Sequence, residues 1–274
     1  MNFLSRAIYR ARALSGFYRS GEFAQSLFAN GIMGLSFDTS DGPIVVPTNS
    51  GSIVKSFLRG NYFGADTIGQ FLKHSSPARR LLNIGANVGT SARLISESNQ
   101  YDQIDCFEPD SDNFSFLRIN TAQFREIIIN QVALGAEHGE LQLNLNVKSV
   151  GRHSFKRAFG GPSITVQVRR IDEFVGADEK YDIYMDVEGW EIEALKGAGA
   201  TLKNCGSCCL EWNGNMHSHA QKESALEILV EAGFDRIVDI RNSKADVDIL
   251  ELVKINLQTD IVPHSPSKLL ISLS

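Results

Sequence analysis

Residues 81–95, LLNIGANVGTSARLI, constrain the fold more than any other part of the chain. An apolar run of strand character enters a turn with glycines at 85 and 89, then leaves on apolar residues at helical spacing. Strand, glycine turn and helix together make a ligand cradle. Glycine reaches backbone angles closed to other residues, and its missing side chain lets a ligand approach the chain. The free N–H groups of the helix's first turn then face that ligand. Dinucleotide-binding sheets place Gly-x-Gly-x-x-Gly here to take a pyrophosphate. In this chain Asn87 stands where the second glycine would, and Thr90 follows Gly89. No Gly-Lys-Ser/Thr completes a nucleotide phosphate loop either.

The following strand, QIDCFEP, supplies the other half of a site. It ends in Glu108, about 20 residues past the turn, where an acid accepts hydrogen bonds from both ribose hydroxyls. A nucleoside ligand without a pyrophosphate, held by a glycine turn and a ribose-binding acid, fits S-adenosylmethionine. The competing reading is an ordinary α/β domain whose strand ends happen to carry these residues.

Around this unit the chain alternates. Strand RRLLNIG leads to a helix from near Asn87, strand QIDCFEP to a helix over SDNFSFLRINTAQF, and IIINQVALG reads as a third strand. Residues 140–148 then switch to period two, and SITVQVRRID continues in that style, an inserted antiparallel β segment. The rhythm resumes with YDIYMDVEG, the helix WEIEALKGAGATLKN, the strand CGSCCLEWN and the helix SALEILVEAGF. RIVDIR and VDILELVK close the chain as an antiparallel pair at the sheet edge. The expected fold is therefore α/β, a Rossmann-like sheet with antiparallel C-terminal edge strands. It divides into an N-terminal helical and hairpin extension, 1–75, and a ligand-binding domain, 76–274.

Composition excludes more than it selects. A formal charge of -5 argues against a nucleic-acid partner, and no apolar run is long enough to span a membrane. Cys106, Cys205, Cys208 and Cys209 form no disulfide framework, so a reducing cytoplasm is the expected compartment. NCGSCC lacks the fourth ligand of a zinc site nearby and reads as buried strand, with no metal expected. The basic, amphipathic segment 1–20 reads as a helix docked on the domain or on a partner subunit, in preference to an anionic membrane surface.

In order along residues 80–213, NIGANVG, FEPD, VALG, GRHSF, RRIDEF, MDVEGWEIEALKGA and LEW resemble the FkbM-type methyltransferase family. That resemblance implies a class I, S-adenosylmethionine-dependent fold and, for most members, methylation of hydroxyl oxygens. It implies a cofactor held by Asn83, Gly85, Ala86, Asn87, Gly89, Glu108, Pro109, Val132 and Asp186. The family usually opens its turn with an acid that helps hold the cofactor's amino group. Asn83 replaces it here, so somewhat weaker binding is expected.

The chemistry is expected on the rim beyond the carboxyl ends of the strands, where Gly85, Glu108, Asp186 and Glu211 gather. A hydroxyl acceptor must lose its proton, which makes Asp186, Glu188, Glu211 and His153 the candidate catalytic groups. Glu191 joins Asp186 and Glu188 in a group of acids just beyond the fourth strand, with solvent exposure on the following helix as its competing reading, and Glu193 reads as solvent-facing. His217 and His219 could join Glu211 on a metal only through a spacing that is common by chance. The acceptor expected is a small molecule or glycan with a free hydroxyl, and a homo-oligomer is compatible with the sequence. The alternative function is a nucleoside-binding module of the same fold without turnover.

Overall fold

The computed structural model describes residues 27, 29–75, 78–147, 149–212, 217–234, 236–239, 244–248 and 267–272. The basic segment 1–20 lies outside them. A hairpin of β1 (Gly34–Thr39) and β2 (Gly42–Pro47) comes first, followed by helices α1 (Gly51–Leu58) and α2 (Ala65–His74). The alternating part runs β3 (Arg80–Ile84), α3 (Thr90–Glu97), β4 (Gln103–Phe107), α4 (Ser111–Thr121) and β5 (Ile127–Asn130). Next come β6 (Ala133–Leu134), β7 (Gly139–Asn144), β8 (Ser163–Arg169) and β9 (Tyr181–Met185). Helix α5 (Glu191–Lys196), β10 (Cys205–Trp212), α6 (His219–Glu231), β11 (Arg236–Asp239), β12 (Lys244–Asp248) and β13 (Ser267–Ser272) complete the described chain.

Eight strands form the central sheet in the order β12-β11-β13-β10-β9-β3-β4-β5. The five from β10 to β5 are parallel, and β13 enters antiparallel between β10 and β11. This is the class I methyltransferase sheet. From β3 the chain winds outward to β4 and β5, then returns to the other side of β3 with β9 and β10. The strand order therefore reverses between β3 and β9, and such a switch point opens a crevice at the carboxyl ends of the strands.

The sequence explains the central strands. Leu81, Leu82 and Ile84 of β3 and Tyr181, Ile183, Tyr184 and Met185 of β9 are buried, as parallel strands covered by helices on both faces must be. No helix among the described residues is long and apolar enough to cross a membrane.

One sequence expectation needs correction and another a shift of bounds. IIINQVALG is not one strand: Ile127–Asn130 pairs with β4, whereas Ala133–Leu134 leaves the sheet and pairs in parallel with β8. Ala133 is buried with Leu143, Val166 and Val168 of the insert, and that second small core draws the chain away. The edge strand expected over VDILELVK is Lys244–Asp248, antiparallel to β11, and residues 249–254 lie outside the described part. Strand β13 carried no expectation at all.

The N-terminal hairpin is stitched to the helices behind the glycine turn. Arg93 of α3 is fully buried and donates to Asp41 Oδ2 at 2.6 Å and to the carbonyls of Pro43 and Gly42 at 2.8 and 2.9 Å. Asn120 of α4 accepts from Val45 N–H at 2.7 Å and donates to the carbonyls of Val45 and Val88 at 2.8 and 2.7 Å. Val88, inside the turn, shares a core with Ile44, Val46, Ile53 and Val54. Asn120→Ala should strand three backbone groups and cost about 2 kcal/mol. A thermal melt should fall by roughly 4–8 °C for a chain of this size. An unchanged midpoint would mean that water replaces these bonds.

Candidate active site

The crevice is built from two strand ends. Asp186 N donates to Ile84 O at 3.0 Å, which continues the β3–β9 ladder one step past its last paired residues. Gly85 therefore lies directly against Asp186. A Cβ there would stand 2.0 Å from the Asp186 carbonyl oxygen, and φ is +84°, so no other residue fits. Gly85 N and Ala86 N both donate to Phe107 O at 3.0 Å, which ties the turn to the end of β4. Asn87 has φ of 50°, a left-handed angle that asparagine tolerates better than most residues. Helix α3 begins at Thr90, three residues later than the sequence suggested, with Gly89 at its N-cap.

Glu108 closes this arrangement from the next strand. Its Oε2 accepts from Asn87 N at 2.9 Å and its Oε1 from Asp110 N at 3.0 Å. Burial is the largest influence on the group and pushes its pKa up to about 7, against the pull of those backbone donors.

Two compartments flank the turn. A small cavity beside Glu108 is lined by Phe107, Pro109, Val132, Leu134, His153 and Trp190, among others. A larger cleft of about 780 Å³ extends under α1 and α2, with Tyr62, Thr67, Thr90, Ser91, Ser149 and Arg152 on its walls. Gly85, Asn87, Gly151, Asp186 and Glu188 line both, so the two carboxylates stand at the junction.

Glu188 takes φ of 50°, a strained angle for a glutamate, and holds it because Ser154 Oγ donates to its carbonyl at 3.1 Å. Burial, and then the charge of Asp186, push its pKa up to about 7. His153 lies on the Glu108 side and lines only the small cavity. Its Nδ1 accepts from Asn146 N at 2.9 Å, and burial lowers its pKa. Glu211 is the last residue but one of β10 and follows Leu210, which pairs with Met185, so its backbone shares the rim with Asp186.

Asn83 lines neither compartment. It is fully buried below the turn and donates to Ser91 Oγ at 2.9 Å, and Ser91 is the residue that lines the larger cleft. Glu191 is wholly buried, which rules out solvent exposure for it. Its Oε1 accepts from Gly189 N at 3.1 Å and its Oε2 lies 3.3 Å from Nε2 of buried His217. His217 Nδ1 in turn lies 3.2 Å from Lys156 Nζ of the inserted segment. Glu193 keeps a partly exposed side chain, paired with Lys196 at 2.9 Å. Among the described residues no three His, Cys, Asp or Glu side chains gather as a metal site. The four cysteines are buried in strands β4 and β10.

Sequence reasoning missed Ser91, Arg152 and Trp190 as wall residues. Trp190 follows the Asp-Val-Glu-Gly block directly, and its place in that block was the available signal.

Several known proteins are similar to this chain. The 2-O-methyltransferase NoeI of Sinorhizobium fredii is 28% identical over 142 residues, 44% of this chain and 58% of NoeI. The match thus spans less than two thirds of NoeI's length. The hexuronic acid methyltransferase AglP of Haloferax volcanii is 26% identical over 181 residues, 64% of this chain and 70% of AglP. Among solved structures, M. jannaschii TYW2 in complex with AdoMet superposes with a TM-score of 0.43 at 6% identity, covering 88% of this chain and 85% of that one. The model of the methyltransferase FkbM domain matches residues 83–236. That span takes in Gly85, Glu108, Asp186 and Glu188, the strand ends that build the crevice, and the chain belongs to the FkbM methyltransferase family.

Proposed function

We propose that the protein is an S-adenosylmethionine-dependent O-methyltransferase acting on a hydroxyl of a sugar, glycan or glycosylated metabolite. One observation carries the reading. A buried carboxylate, Glu108, faces a glycine turn from one side, and two further carboxylates, Asp186 and Glu188, stand where the turn opens into a larger cleft. The chain's relatives support the acceptor class, since NoeI is named for 2-O-methylation and AglP for a hexuronic acid.

The residues present fit the cofactor. Glu108 has lone pairs left after its two backbone bonds and accepts ribose hydroxyls. Pro109 and Val132 offer apolar walls for the base. Close packing of Gly85 on Asp186 keeps side chains out of the turn. When bound, S-adenosylmethionine supplies an electrophilic methyl group.

Every other task falls to the chain. Asp186 orients the acceptor hydroxyl at the junction, which removes the entropic part of the barrier. Asp186 or Glu188 takes the proton as the oxygen attacks, and a pKa near 7 suits Glu188 to that work at neutral pH. Thr67, Thr90, Ser91, Ser149 and Arg152 give the cleft the polar surface that a saccharide needs. Asn83, in the place of the usual acid, acts on the cofactor's amino group through Ser91.

Titration calorimetry with S-adenosylhomocysteine and with NAD tests the reading. The first should bind and the second should not. Methyl transfer to hexose and hexuronic acid glycosides should follow. Binding without transfer to any glycoside would favour the module without turnover, and tighter binding of NAD would favour a dehydrogenase.

A further inference from the structure

Two residues that line the small cavity carry buried polar atoms with no hydrogen-bond partner among the described residues, Asn87 Oδ1 and Trp190 Nε1. An amide oxygen only accepts and an indole N–H only donates. Leaving such groups dry and unpaired is costly, which is why buried polar atoms almost always have partners. A ligand that belongs here must therefore offer a donor to one and an acceptor to the other.

Both atoms are held in place. The Trp190 ring packs on Phe155 with centroids 4.8 Å apart, and a Cβ on Gly135 would lie 3.4 Å from Nε1. Trp190 occupies the N-cap of α5 but makes no side-chain capping bond, so the helix makes no use of the indole N–H. Asn87 lines the same cavity and is fixed by its own N–H on Glu108. The walls between them are largely apolar, with Phe107, Val132 and Leu134 among them. A largely apolar cavity whose lining carries one unpaired donor and two acceptors matches a nucleoside whose base has an acceptor in the ring.

We propose that Trp190 reads the base of the cofactor, its Nε1–H donating to a ring nitrogen of adenine, while Asn87 Oδ1 and Glu108 accept from the ribose. The assignment rests on the methyltransferase reading above and adds to it the residue that selects adenine. Phenylalanine at position 190 keeps the stack on Phe155 and removes the N–H.

The test is a cycle between protein and ligand, read by calorimetry at pH 8. Wild type and Trp190→Phe are each titrated with S-adenosylhomocysteine and with its 1-deaza, 3-deaza and 7-deaza analogues. Circular dichroism checks that the variant is folded. In the wild type, one of the three analogues should bind about three- to tenfold more weakly than the parent. Trp190→Phe should lose a similar factor for the parent and nothing further for that analogue. The deaza series in the wild type stands even if the variant fails to fold. Three analogues that all bind like the parent would overturn the assignment, as would losses that multiply in the variant. A wild type that binds no S-adenosylhomocysteine would overturn the methyltransferase reading itself, and this one with it.

Discussion

Asp186→Asn should lower kcat by about 10²–10⁴-fold while changing S-adenosylhomocysteine affinity only slightly. The substitution keeps the size and hydrogen-bonding capacity of the side chain and removes its charge and basicity. Asp186 stands at the junction of the two compartments, against Gly85, and under the proposed mechanism its substitution should act on the reacting centre more than on nucleoside binding. A purely structural role as a helix cap is disfavoured, because the N-cap of α5 is Trp190. Conversion of S-adenosylmethionine with a sugar acceptor gives kcat, and calorimetry gives affinity. Intact turnover in the variant would sink the assignment.

The same variant distinguishes the two carboxylates through pH. Burial and the Asp186 charge hold the Glu188 pKa at about 7. If Glu188 is the base, kcat/KM in the wild type should rise with pH through about 7, where the group loses its proton. Removing the neighbouring charge should move that rise to lower pH in Asp186→Asn, even as the overall rate falls. A profile that keeps its midpoint would place the titrating group in neither Glu188 nor Asp186.

Local chemistry explains which parts of this arrangement could be read from sequence. The turn at Gly85 follows from sterics within a few residues, and Glu108 and Asp186 follow because each ends an apolar run whose length fixes where the strand stops. The parts left open or misread depend on distant partners. Glu191 has the spacing of an exposed helix residue, and only the approach of His217 and Lys156 from two other segments makes it a buried, paired group. Ala133–Leu134 continues an apolar strand pattern and departs from the sheet because a small core in the insert takes those side chains. Strand β13 pairs with β10 and β11 across a long gap in the chain, and its own six residues carry no partner information. Asn83, which the sequence marks as a departure from the family it resembles, turns its amide to Ser91 beneath the turn, a geometry that spacing alone does not encode.

Glu108→Ala should weaken S-adenosylhomocysteine binding by roughly a hundredfold, since two hydrogen bonds to a charged acceptor contribute about 1.5–3 kcal/mol each and solvent restores part of the loss. The wild-type affinity should itself depend on pH, and the sign follows from burial. In the free protein the carboxyl pKa is raised from the ordinary 4.5 to about 7, so near neutrality it is partly protonated. Ribose hydroxyls donate to the ionised form and favour it. Binding below pH 7 must therefore release a proton, and affinity should fall about tenfold per pH unit there while staying level above about pH 8. Calorimetry at pH 6.5 in buffers of different ionisation enthalpy should detect the released proton. The ligand-free protein should show the linked effect on stability. The contribution of the protonated form is fully present below about pH 4.5 and fades as pH rises to about 7. Glu108→Gln should abolish both the proton release and the pH dependence of binding. A flat affinity between pH 6 and 8 in the wild type would mean that the ribose does not meet Glu108, and the nucleoside would then have to enter the crevice the other way round.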